Sequence, residues 1–98
     1  MKQYKLTDGA KIGMGNATWP LAKLKVSKDR LEINATIIGN LIFQSSNIIS
    51  IEPYTQIPLL GQGIKINHTV EDYSSKVIFW IFKNPKAVID EIGKTGFL

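Results

Sequence analysis

The sequence predicts a mainly β fold: a β-barrel of six or seven antiparallel strands with one short C-terminal α-helix. Three observations carry that expectation. From Trp19 onward, apolar and polar residues alternate over short stretches, the two-residue period of half-buried strands. Polar or glycine-bearing breaks recur at intervals of about 10–15 residues, which suits a barrel or sandwich better than parallel βαβ units. Finally, the apolar run VIFWIF at residues 77–82 passes directly into a helix start.

The elements follow in order. In WPLAKLKVS, Leu24 and Val26 share one face and Lys23 and Lys25 the other. RLEINAT answers it with Leu31 and Ile33 opposed to Arg30, Glu32 and Asn34, and SKDR between them reads as a hairpin turn. Gly39-Asn40 makes the next turn, LIFQ a short strand, and SSN at 45–47 a further break. In IISIEPYTQI, Ile49 and Ile51 alternate with Ser50 and Glu52, while Pro53 withholds a ladder donor, so this strand is expected to lie at an edge or to end there. PLLGQG at 58–63 reads as a loop, GIKINHT as a half-buried strand, VEDYSS as a turn and KVIFWIF as the last strand. Asn84 is a helix cap, Pro85 suits the first turn, and Val88, Ile89 and Ile92 make one apolar stripe before Gly93 and Gly96. No strand is assigned before Trp19. The chain is read as a single domain over residues 1–98, with its core over about residues 11–98.

The last strand is apolar on both faces. Val77, Phe79 and Ile81 are expected inside the barrel, with Ile78, Trp80 and Phe82 outside and in need of cover. The helix is expected to cover Phe82. For Ile78 and Trp80, the N-terminal segment or a second copy of the chain is expected to do so, which makes these two the candidate self-association interface.

This element order resembles the pleckstrin-homology-like (PH-like, GRAM-like) barrel, in particular small bacterial domains of that type. The local words are GNATWPLAKLKV, GIKINH and the GF ending. The resemblance implies a non-catalytic binding or protein-interaction module. It also implies that basic residues on the first hairpin grip inositol phosphates or an anionic lipid surface; in KLKVSKDR these are Lys23, Lys25, Lys28 and Arg30. The chain departs from eukaryotic PH domains in having no tryptophan in its terminal helix, since Trp19 and Trp80 both fall on strands.

Other classes find less support. The formal charge of +4 permits attraction to nucleic acid or anionic lipid without requiring it. A single-stranded nucleic-acid barrel would interleave aromatic and basic residues on one sheet face, and here Tyr54 and Tyr73 lie near turns. No enzyme is expected, because no nucleophile–base ordering and no phosphate loop is present. No cofactor is expected, and no metal either, since cysteine is absent and His68, the one histidine, shares a face with Ile64 and Ile66. The lack of cysteine and of an apolar leader leads us to expect a cytoplasmic protein, free or at the periphery of a membrane.

Overall fold

The computed structural model describes residues 3–56 and 61–98. Its strands are β1 (Tyr4–Ile12), β2 (Gly15–Val26), β3 (Leu31–Ala35), β4 (Gly39–Phe43), β5 (Ile48–Gln56), β6 (Gly61–His68) and β7 (Val77–Trp80). They form one antiparallel sheet in the order β4-β3-β2-β1-β7-β6-β5, curled into a half-barrel. Helix α1 (Pro85–Lys94) follows β7, and a single 3₁₀ turn spans Ser45–Asn47. The mainly β architecture with a terminal helix is as the sequence predicts.

The strand without a sequence signal is β1, and it is the central one. Asp8, Gly9 and Ala10 are buried in succession, which erases the two-residue period. The cause is a bulge: Asp8 faces Ala22, whereas Ala10 faces Ala17, so β2 loops residues 18–21 past a single residue of β1. Gly9 sits under this loop, where an added Cβ would lie 2.5 Å from the Ala17 carbonyl oxygen. β1 pairs with β2 on one side and β7 on the other. The core therefore starts well before residue 11, and KLKVSKDR is the second hairpin rather than the first.

The concave face is filled from both halves of the sheet, with Leu24, Ile33 and Phe43 meeting Ile64, Ile66 and Phe79. At one end α1 buries Val88 and Ile92, each contributing about 1.5–3 kcal/mol of transfer free energy. Asn84 accepts the Lys86 N–H at 2.9 Å and caps this helix. The Lys28 side chain lies 3.5 Å from the Cβ position of Gly96, so the helix end abuts the β2–β3 hairpin.

Both sheet edges are managed. Pro53 lies on β5, an edge strand, as its missing donor requires. On β4 the Tyr73 hydroxyl accepts the Ile42 N–H at 3.1 Å and donates to the Ile42 carbonyl at 3.4 Å, sealing the edge against strand addition.

Two expectations in the second half of the chain are corrected. Residues 61–63 are strand, not loop, while 57–60 of the same stretch lie outside the described residues. β7 ends at Trp80, and Phe82 is 78% exposed, not covered by α1. Gln62 holds the chain in this bend by donating its amide to the Phe82 and Lys83 carbonyls at 3.2 and 3.1 Å. Ile78 points to the convex face yet is wholly buried within one chain. Its direct cross-strand neighbours are Lys11, on the N-terminal strand β1, and Lys65, both half-buried. Ile78 therefore presents no surface to a second subunit.

Trp80 is half-buried on that face, directly opposite Gly9 and Gly63. Its ring edge fills the space that a Gly61 side chain would take, Tyr54 lies 5.9 Å away, and its indole N–H donates to Asn16 Oδ1 at 2.9 Å. These contacts satisfy the indole inside one chain.

Candidate functional site

The basic residues singled out from the sequence do not converge. Lys23 and Lys25 share the convex face, as alternation requires. Lys25 stands between Lys5 and Glu32, a direct like-charge pair on one side and an opposite charge on the other. The Arg30 guanidinium meets Glu32 at 3.3 Å. Lys28 turns onto the helix end at Gly96. Lys28 and Arg30 therefore sit at the plugged end of the half-barrel, and only Lys23 lies toward the other.

That other end carries the least expected feature. Met14, at the tip of the β1–β2 hairpin, is 100% exposed, and Ile37, in the β3–β4 turn, is 99% exposed. The tips adjoin: Ile38 side-chain carbons lie 3.2 Å from the Cβ position of Gly15. Ile37 also has φ +73°, a left-handed conformation that costs a β-branched residue about 1–3 kcal/mol. The Gly13 N–H donates to the Lys76 carbonyl at 2.8 Å, which brings the exposed Lys76 to the same end. Two aliphatic side chains thus stand in solvent on adjoining tips, Met14 on the hairpin bonded to the Lys76 segment and Ile37 on the turn that shares a groove with Lys23. Their only sequence signal is an apolar residue set among turn glycines, in GMG and in TIIG.

Ile37 is also one wall of an open groove of about 550 Å³ on the convex side. The floor is a cross-strand row, Lys23 on β2 opposite Asn34 on β3 opposite Asn40 on β4. Pro20 and Leu21 from the β2 loop form the second wall. The Thr36 N–H donates to the Leu21 carbonyl at 2.9 Å and ties the two walls together. Among the described residues, the side chains of Lys23, Asn34 and Asn40 have no hydrogen-bond or ion-pair partner. Asn34 and Asn40 gave no functional signal in sequence because each reads as an ordinary solvated strand residue.

His68 and Asp8 are held by contacts within the fold. His68 accepts the Val70 N–H on Nδ1 at 3.0 Å, so Nε2 carries the proton and donates to the Ser74 carbonyl at 2.8 Å. Its ring packs 5.0 Å from Phe43, which locks the start of the β6–β7 turn against the core. Asp8 is buried at the bulge, where desolvation raises its pKa above the usual carboxylate range despite hydrogen bonds from the Phe82 and Gly9 N–H groups. Among the described residues no three His, Cys, Asp or Glu side chains gather into a metal-binding group. No helix among them is long and apolar enough to cross a membrane.

Comparison of the chain with protein-family models, with curated proteins and with solved structures finds no match.

Proposed function

We propose that this protein is a non-catalytic, PH-like binding module that docks reversibly on an anionic lipid surface through its open end. One observation carries the reading: Met14 and Ile37 are both wholly exposed, on two adjoining hairpin tips away from the helix-plugged end. A strained aliphatic residue held in water has a rationale when that residue is buried in use. Full burial of the two side chains is worth about 1.5–3 kcal/mol each. Lys23 and Lys76 add about 1 kcal/mol each beside anionic headgroups. The sum, reduced by shallow insertion, corresponds to a dissociation constant of roughly millimolar or somewhat tighter, typical of reversible surface contact. Of the basic residues expected to grip a headgroup, Lys23 alone enters this reading, because Lys28 meets the helix end, Arg30 pairs with Glu32 and Lys25 stands opposite that same Glu32.

The test is co-sedimentation with phosphatidylcholine vesicles containing about 30% phosphatidylglycerol, against pure phosphatidylcholine, at low and high salt. The expected result is binding that needs the anionic lipid, weakens with salt, and falls about tenfold in Ile37→Ser. Ile37→Ser is exposed and relieves no packing, so its circular dichroism should match the parent. Unchanged binding by the folded double variant Met14→Ser/Ile37→Ser would overturn the proposal.

A further inference from the structure

We infer that the convex-face groove floored by Lys23, Asn34 and Asn40 is an anion site that takes the phosphate headgroup of an amphiphile. Direct cross-strand neighbours place their Cβ atoms about 5 Å apart, so the carboxamides of Asn34 and Asn40 reach one oxyanion together. Lys23 approaches the same point from the adjoining strand and supplies the charge. These are donor groups in a row with no partner among the described residues, set in a groove of about 550 Å³. No carboxylate lines the groove, so nothing there opposes an anion.

The walls define the rest of the ligand. Pro20 and Leu21 on one side and Ile37 on the other are apolar, and Leu21 and Ile37 are exposed. An inorganic anion would use the floor alone and leave these walls in water. A phosphate ester with an alkyl portion uses both. Ile37, in its left-handed conformation, stands on the β3–β4 turn, which adjoins the hairpin tip that carries Met14. Recognition of the anion stands independently of the membrane reading; that its carrier is a lipid rests on that reading.

The test is an amide NMR titration of the labelled protein with butyl phosphate, inorganic phosphate and butylammonium in separate runs. Butyl phosphate is expected to give saturable shifts at residues 21–23 and 34–40 and at the side-chain amides of Asn34 and Asn40. Butylammonium is expected to give none. Lys23→Gln is expected to weaken butyl phosphate binding about tenfold, and Asn34→Ala a few fold, with all other resonances in place. Equal affinity for inorganic phosphate would overturn the amphiphile and leave a free-anion site. Absence of saturable shifts at millimolar butyl phosphate, or binding unchanged in Lys23→Gln, would overturn the site altogether. The vesicle experiment separates the two proposals: binding that depends on Ile37 and Met14 but not on Lys23 sustains the membrane reading while the groove fails.

Discussion

Gly63→Ala tests the packing of the sheet where two of its strands come closest. Gly63 on β6 lies opposite Trp80 on β7, with Tyr54 of β5 on its other side. A Cβ built there would fall inside van der Waals contact of the Phe79 carbonyl oxygen, 3.0 Å from its carbonyl carbon and 3.1 Å from the Trp80 Cα. All three obstacles are backbone atoms of the paired strand, so no rotamer change relieves them. Either β7 moves away from β6 or the ladder breaks locally. Overpacking of a well-filled site costs about 1–3 kcal/mol, and the rigid obstacle places this case at the upper end. Displacing Trp80 also loosens its ring contact with Tyr54, worth about 0.5–1.5 kcal/mol. The expected loss is therefore about 3 kcal/mol or more. For a domain of this length that lowers Tm by roughly 12–24 °C. Thermal melts followed by circular dichroism, paired with urea titration to check that the slope is unchanged, measure it. A fall in Tm of less than about 4 °C would refute the reasoning, since it would mean that the strands yield at almost no cost.

The remaining predictions contrast with that one. Gly93→Ala should stabilise the protein by about 0.5–1 kcal/mol in the same melts, because the residue lies inside α1 and a Cβ there meets nothing within 4 Å. Asn84→Ala should cost about 1 kcal/mol in urea titration, because it removes the side-chain acceptor for the Lys86 N–H. Asp8→Asn should change the pH dependence of stability. Burial raises the folded pKa of Asp8, so its favourable contribution is complete at low pH and disappears as pH rises through that folded value. Urea titrations between about pH 3.5 and pH 7 should therefore show the parent losing stability relative to Asp8→Asn as pH increases; a relative gain by the parent would contradict the assignment.

The two faces of the sheet were unequally legible. Strand β3 and the second half of β2 alternate because one face packs and the other is wetter, and in β6 Ile64 and Ile66 are buried on either side of Lys65, so Leu24, Ile33 and Ile66 announce themselves. Pro53 revealed an edge, and Asn84-Pro85 a helix start, through local backbone chemistry alone. His68 read as a packed histidine from its apolar face, which the two ring hydrogen bonds explain.

What the sequence determined by itself was the class of fold, since hydrophobic period, turn chemistry and helix capping are properties of neighbours in the chain. Only the tertiary structure decided that residues 4–12 form the central strand, because a bulge buries Asp8, Gly9 and Ala10 together and no two-residue period survives it. It also decided that Ile78 is buried between Lys11 and Lys65 in register, and that Lys28 meets the helix end and Arg30 pairs with Glu32 while Lys23 joins Asn34 and Asn40. The placing of Met14 and Ile37 on adjoining tips has the same origin. Each of these depends on which distant strand a residue meets and in what register, and register is fixed by the packing of the whole sheet.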